Sequence, residues 1–263
     1  MDDPLQYQGK HVVVTGVASG IGAATARILL DLGARVTGLD VKTSDLPLDA
    51  SMIVDLLDRS SIDATVAEIS GPVDAVFSVA GLPGEPFSDM DTVTVNFIGA
   101  RHLIESLLPK LSAGAAIVCV GSNAGLGWEQ DVDKFLPLIT SDGFDAAVDY
   151  LTANPGVIDH GYVFSKKAIN VWVAWRAAQL IVDGIRLNCS NPGPTQTAMM
   201  PTFEEQAGKE VIDIFAGPSG RRSTAEEQAW PLVFVNSGRS SYVAGEAMHI
   251  DAAFLASMIV PQT

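Results

Sequence analysis

The chain has 263 residues, 48% of them apolar and 18% charged, a composition that suits one large α/β domain with a sizeable buried core. Its 31 acidic residues against 16 basic ones leave a formal net charge of −15, which disfavours nucleic acid and anionic membranes as partners. The opening MDDPLQYQGK has neither a basic n-region nor an apolar h-region, and no apolar run reaches the ~18 residues of a membrane span, so no secretory signal and no membrane association are expected.

The first element, KHVVVTG, is a β-branched run ending in glycine and reads as a buried strand. IGAATARILLDLG follows with helical apolar spacing and Gly33 as its stop. ARVTGLD is a second strand, MIVDLLD contains a short third, SIDATVAEIS is a helix, and VDAVFSVAG is a fourth strand. TVTVNFIGARHLIESLLPKL reads as one long helix with Pro109 near its end, and AAIVCVGSNAG as a fifth strand. Residues from about 126 to 160 are expected to be irregular or short helices. GYVFSKKAINVWVAWRAAQLIVDG is a long helix, apolar nearly all round and therefore buried on several sides. IRLNCSNPG is a sixth strand, and residues 195–222 read as a mobile loop with short helical pieces. TAEEQAWPLVFVNS is a helix capped by Thr224, with acids in its first turn and Pro231 inside it, and GEAMHID is the last strand.

Strands alternate with helices throughout, which specifies an α/β fold: a doubly wound parallel sheet of Rossmann type with helices on both faces. No linker and no internal repeat interrupts it, so residues 1–263 are taken as a single domain. Cys119 and Cys189 lie in apolar strand-like segments and read as buried free thiols of a reducing, cytoplasmic compartment. The four histidines show no ligand spacing, so no metal is expected.

Between the first strand and the first helix stands TGVASGIG, with Thr15, Gly16, Gly20 and Gly22. A glycine-rich turn leading into a helix N-terminus is an anion site: free N–H groups and the positive dipole end face the ligand, and glycine lets the backbone approach a pyrophosphate. The spacing here is Gly-x-x-x-Gly-x-Gly rather than the common Gly-x-Gly-x-x-Gly. Asp40 ends the second strand eighteen residues after Gly22, where an acid accepts hydrogen bonds from the adenosine ribose. A 2′-phosphate would meet that negative charge, and GVASGIG offers no Arg or Lys to receive it, so NAD is expected rather than NADP. Asp55, ending the third strand, either receives the adenine amino group or is a loop acid. Tyr162 and Lys166 are four positions apart, so on a helix they share a face. They are either an ordinary helix surface or a phenol whose proton is meant to leave.

In their order along nearly the whole chain, TGVASGIG, Asp40, Asp55, SVAG (78–81), Asn96 in VNFIG, Ser122 ending IVCVGS, YVFSK (162–166) and NPGPTQT (191–197) resemble the short-chain dehydrogenase/reductase family. The resemblance implies a catalytic tetrad of Asn96, Ser122, Tyr162 and Lys166. Tyr162 would take the alcohol proton, its pKa lowered by the adjacent ammonium and the positive nicotinamide ring. Lys166 would also hold the nicotinamide ribose, Ser122 would hydrogen-bond the substrate oxygen, and Asn96 would support a water linking Lys166 to solvent. Dinucleotide contacts are implied for Gly16, Ser19, Gly20, Ile21, Gly22, Asp40, Asp55, Ala80, Gly81, Tyr162, Lys166, Pro192, Gly193, Thr195 and Thr197. A homodimer or homotetramer is implied as well.

The chain departs from the family in three places. Ser78-Val79-Ala80-Gly81 replaces Asn-Asn-Ala-Gly, Asp251-Ala252-Ala253 replaces Asp-Gly-Gly so that a backbone turn must differ, and forty positions separate Ser122 from Tyr162. That insert, at about 125–160, looks like the subgroup of bacterial coniferyl-alcohol dehydrogenases and 3α-hydroxysteroid dehydrogenase/carbonyl reductases. A substrate loop is expected at about 195–222, with Met199, Met200 and Phe203 on one wall of the pocket and Leu126 and Trp128 on the other. The expected substrate is a neutral, largely apolar alcohol or ketone of aromatic or steroid size, coniferyl-type alcohols first and 3α-hydroxysteroids second. A dinucleotide-sensing regulator without catalysis is the remote alternative; such proteins generally lose the Tyr-x-x-x-Lys pair, which is present here.

Overall fold

A computed structural model describes residues 3–260. The chain runs through β1 (His11–Thr15), α1 (Gly20–Asp31), β2 (Arg35–Asp40), β3 (Ala50–Ile53), α2 (Arg59–Glu68) and β4 (Val73–Ser78). It continues through α3 (Asp89–Val93), a π-helical turn (Thr94–Gly99), α4 (Ala100–Leu107), β5 (Leu111–Val120), α5 (Val132–Ile139), α6 (Gly143–Ala153), α7 (Gly161–Leu180) and β6 (Arg186–Pro192). The remainder is β7 (Thr195–Gln196), α8 (Met200–Ala207), α9 (Lys209–Ile214), β8 (Ser223–Thr224), α10 (Ala225–Asn236), β9 (Ala247–Ile250) and α11 (Phe254–Ile259).

Seven strands form one parallel sheet in the order β3-β2-β1-β4-β5-β6-β9. Val12, Val13 and Val14 are fully buried because helices cover both sides of the sheet, which is why consecutive β-branched residues form this strand without polar alternation. One face packs Phe97, Leu103, Ile117, Phe135 and Trp172; the other packs Leu29, Val36, Phe77 and Leu232. Strand order reverses between β1 and β4, and a crevice opens at their C-terminal ends, at Thr15 and Ser78.

The expected long helix runs without a gap through α3, the π-turn and α4, and the six residues of the π-turn are all buried. A Cβ at Gly99 would lie 2.1 Å from the Leu56 carbonyl oxygen, so the helix approaches that loop backbone at van der Waals limits only because glycine stands there. The short helices expected in the two irregular segments are α5 and α6 at 126–160 and α8 and α9 at 195–222. Thr224 caps α10 in a reciprocal capping box with Glu227, as its sequence predicts.

Candidate active site

The glycine spacing after β1 has a separate steric cause at each position. Gly16 has φ +77°, and a Cβ there would lie 3.0 Å from the Ala80 nitrogen, because the loop after β4 passes against it. Gly20 has φ +58° and faces the Thr197 methyl. A Cβ at Gly22 would lie 2.2 Å from the Gly16 carbonyl oxygen, so the first turn of α1 can seat on the loop only with glycine. Thr15 stitches the two loops together: its hydroxyl oxygen accepts from the backbone N–H of Val79 (2.9 Å) and of Ala80 (3.0 Å). Ser78 and Val79 in place of two asparagines therefore still leave a loop anchored from the β1 side. Helix α1 has no side-chain cap and no acid in its first turn, which leaves its N-terminal donors and dipole for an anion.

Asp40 turns its carboxylate back onto this loop. One oxygen accepts from the Ala18 N–H and the other from the Lys42 N–H, both at 2.9 Å. Each oxygen keeps a further lone pair for a ribose hydroxyl. Asp55 accepts from the Leu57 N–H at 2.9 Å and caps its own loop. Past β6, Gly193 approaches Asp251, where a Cβ would lie 3.2 Å from the Asp251 Cα. The Thr195 hydroxyl is buried and already engaged, with the Gly193 carbonyl at 2.9 Å and the Ser223 hydroxyl at 3.0 Å, whereas half-buried Thr197 faces Gly20.

Tyr162 and Lys166 share one face of α7, with the Lys166 ammonium 5.5 Å from the phenol ring centroid. Lys166 is 5% exposed and donates to the Val120 carbonyl at 2.9 Å, which leaves two of its hydrogens free. Burial pushes its pKa down to about 8. Burial pushes the Tyr162 phenol up, and the Ser122 hydroxyl acts weakly in the opposite direction. Without a bound dinucleotide, desolvation is thus the larger effect on the phenol, and the ammonium beside it does not offset it. Ser122 follows β5, and its oxygen accepts from the Ala124 N–H at 3.1 Å, so its hydroxyl hydrogen can turn to the Tyr162 oxygen or to a substrate oxygen.

Asn96 sits in the buried π-turn. Its amide accepts from the Leu82 N–H (2.6 Å) and donates to the Leu82 carbonyl (3.0 Å) and the Ser165 hydroxyl (3.1 Å). Both donor hydrogens are thereby used, and the side chain acts as a clamp on the loop after β4. Gly81 lies between this amide and Lys166: a Cβ there would lie 3.0 Å from Asn96 Oδ1 and 3.8 Å from Lys166 Nζ.

Of the residues expected to touch substrate, Phe203 on α8 meets the phenol directly, its ring 5.1 Å from that of Tyr162 and tilted 60°. Met200 instead turns into a groove beside Gly20, Ala23 and Arg27 of α1. Trp128 packs half-buried against the core on the α7 side, and Leu126 and Met199 are half-buried. Two lid residues have no local sequence signal. Gln206 donates to the Glu85 carbonyl at 2.8 Å and ties α8 to the loop after β4. Arg222 pairs with Glu204 of α8 (2.7 Å) and Asp213 of α9 (2.6 Å), so the segment expected to be mobile is buckled at both of its helices. The C-terminal turn abuts the lid's far end, with Phe254 5.1 Å from Phe215. Ala252 and Ala253 there take φ +51° and +69°, the left-handed backbone that glycine adopts freely. The alanines thus keep a turn that glycines would make, at a conformational cost, rather than changing its sense.

No helix among the described residues is long and apolar enough to cross a membrane, and no cluster of His, Cys, Asp and Glu among them could hold a metal ion. A short chain dehydrogenase family model matches residues 10–131, and an enoyl-(acyl carrier protein) reductase model matches residues 132–254. The coniferyl-alcohol dehydrogenase of a Pseudomonas species is 30% identical over 97% of this chain and 100% of that protein. The 3-alpha-hydroxysteroid dehydrogenase/carbonyl reductase of Comamonas testosteroni is 31% identical over 94% of this chain and 97% of that protein. Among solved structures, a Pseudomonas 3-alpha-hydroxysteroid dehydrogenase complexed with NADH superposes with a TM-score of 0.80 at 25% identity, over 97% of this chain and 100% of that one. With full-length relatives at this identity, the chain belongs to the short-chain dehydrogenase/reductase family.

Proposed function

We propose that this chain is an NAD-dependent oxidoreductase that interconverts a neutral, apolar alcohol and its carbonyl, with Tyr162 as the acid/base. The observation that carries the substrate class is Phe203 against Tyr162: the phenol that would handle the proton is walled by an aromatic ring on the lid. The dinucleotide fits the cradle formed by Gly16, Gly20 and Gly22, the uncapped start of α1 and the Asp40 carboxylate. When bound, the dinucleotide would supply the hydride acceptor as NAD in oxidation and the hydride donor as NADH in reduction. Ser122 turns its hydroxyl hydrogen to the substrate oxygen and orients it. Tyr162 takes the proton from that oxygen in oxidation and gives it back in reduction. Lys166, held by the Val120 carbonyl, would offer its two remaining hydrogens to the nicotinamide ribose. Asn96 fixes the Gly81–Leu82 backbone beside Lys166. The paired basic residues near the lid are neutralised by acids, Arg221 by Glu227 and Arg222 by Glu204 and Asp213, so they do not seat an anionic substrate.

Coniferyl-type alcohols rank first and 3α-hydroxysteroids second, in line with the two relatives' names. The test is kcat/KM across coniferyl alcohol, androsterone, small aliphatic alcohols and hydroxy acids, each with NAD. A hydroxy acid or a sugar phosphate at the top of that ranking overturns the apolar-pocket reading.

The enzyme works in the cytoplasm, where Cys119 and Cys189 remain the buried free thiols found here. It assembles as a homodimer or homotetramer. The insert bears on which surfaces meet: Phe135 of α5 packs on Phe164 of α7, and Phe144 of α6 on His102 of α4. Association through other surfaces is supported by Trp230 and Phe234, exposed on α10 one turn apart. Light scattering on the purified protein tests it, and a monomer at working concentration overturns it.

A further inference from the structure

Lys166 and Ser122 come from different elements, and the structure contains a buried connection between them that the tetrad does not include. Asn170 lies one turn after Lys166 on α7, and Asn191 lies on β6; they are 1% and 0% exposed. Their amides pair reciprocally. Asn191 Nδ2 donates to Asn170 Oδ1 at 3.1 Å, and Asn170 Nδ2 donates to Asn191 Oδ1 at 3.3 Å. Each amide also reaches one catalytic element. Asn191 Oδ1 accepts from the Ser122 backbone N–H at 3.0 Å, and Asn170 Nδ2 donates to the Lys166 carbonyl at 3.2 Å.

The segment carrying Ser122 sits down on this pair. A Cβ at Gly121 would lie 2.1 Å from Asn191 Oδ1, and a Cβ at Gly125 would lie 2.8 Å from Asn170 Nδ2 and 2.9 Å from the Lys166 carbonyl oxygen. Glycines on both sides of Ser122 thus allow the backbone to come within hydrogen-bonding distance of the two amides. The regular sheet ends at Val120, and one further ladder bond, Gly121 N–H to the Ser190 carbonyl at 2.7 Å, precedes Ser122. Past that bond, the Asn191 amide is what holds the Ser122 backbone to the strand beside it. Buried amides that satisfy one another and two backbone groups are rigid, since each alternative arrangement leaves a desolvated polar atom unpaired.

We propose that Asn170 and Asn191 are positioning residues: their amide pair sets the Ser122 hydroxyl over the helix that bears Tyr162 and Lys166. This rests on the reading above that Ser122 orients the substrate oxygen. Misplacing a catalytic group by about 1 Å costs up to about 10²-fold in rate. Asn191→Ala should therefore lower kcat by about 10- to 100-fold, while dinucleotide affinity, read by fluorescence titration, stays that of the wild type. Asn170→Ala should do the same.

The deciding measurement is the cycle with Ser122→Ala. If the pair acts through Ser122, adding Asn191→Ala to Ser122→Ala lowers kcat no further. Two independent losses that multiply show a general structural role and overturn the proposal, as does wild-type kcat in Asn191→Ala. Wild-type turnover in Ser122→Ala alone instead removes the underlying role of Ser122, a different failure. Asn170→Ser, which cuts the pair from the other side with a smaller polar group, carries the same cycle if Asn191→Ala does not fold.

Discussion

The dinucleotide half of the site and the substrate half are built in different ways. Around β1 and β4, contacts are set by what is missing: Gly16, Gly20 and Gly22 let backbone meet backbone, and Thr15 stitches the two loops. Around α8 and α9, they are set by side chains reaching across the fold: Phe203 to Tyr162, Gln206 to Glu85, Arg222 to Glu204 and Asp213. A backbone-defined half tolerates almost no change of residue and binds one invariant ligand. A side-chain-defined half can be re-cut for a new substrate without disturbing the sheet. The two halves should therefore respond to mutation in separable ways.

The largest separation is expected at Tyr162, on the boundary. Tyr162→Phe should lower turnover by ~10²–10⁴-fold, with dinucleotide binding intact; retained activity would reduce the Tyr162–Lys166 pair to helix surface. Because burial raises the phenol's pKa, the group is protonated at neutral pH in the free protein. Alcohol oxidation, which needs the phenolate, should thus rise with pH, and carbonyl reduction, which needs the phenol, should fall. Parallel pH profiles in the two directions would contradict this assignment.

Gly22→Ala tests the backbone-defined half. A methyl group 2.2 Å from the Gly16 carbonyl oxygen forces α1 off its loop, an overpacking cost of about 1–3 kcal/mol. Calorimetric titration should show NAD binding lost or weakened together with a lower Tm, and unchanged binding would show that the loop can yield. Asp40→Ala comes next. The wild type should prefer NAD over NADP at least tenfold, about 1.4 kcal/mol, and the variant should narrow that ratio. Because the carboxylate also holds the Ala18 N–H, the variant should weaken NAD itself as well. A wild type that prefers NADP sinks the reading.

On the side-chain-defined half, Phe203→Ala should raise KM for aromatic substrates several-fold, the scale of an aromatic pair worth about 0.5–1.5 kcal/mol, and leave NAD affinity alone. A change in NAD affinity would break the separation. The smallest effect is expected at the turn behind the lid. Left-handed backbone costs a non-glycine residue about 1–2 kcal/mol, partly offset by the extra freedom glycine has in the unfolded chain. Ala252→Gly and Ala253→Gly should each raise stability by up to about 1 kcal/mol, read as an increase in Tm; a fall would show that the alanines are unstrained.

Much of this was legible along the chain because the information is local. Alternating β-branched strands and amphipathic helices specify a parallel doubly wound sheet whatever their partners, and the glycines after β1 mark the dinucleotide loop because only one residue type satisfies that backbone. The Tyr162–Lys166 spacing likewise follows from helix geometry alone. Only the tertiary structure decided what depends on residues distant in sequence. It showed that burial raises the tyrosine of the free protein, because desolvation is a property of the pocket rather than of the helix. It wound part of an expected helix as a π-turn, from which Asn96 reaches Leu82. It buckled together the two short helices of an expected mobile loop, because the arginine that holds them pairs with acids 18 and 9 positions away in the chain. And it joined Ser122 to Asn191 and Asn170 across 69 and 48 positions, a contact that no periodicity or motif encodes, since it exists only once β5, β6 and α7 have packed together.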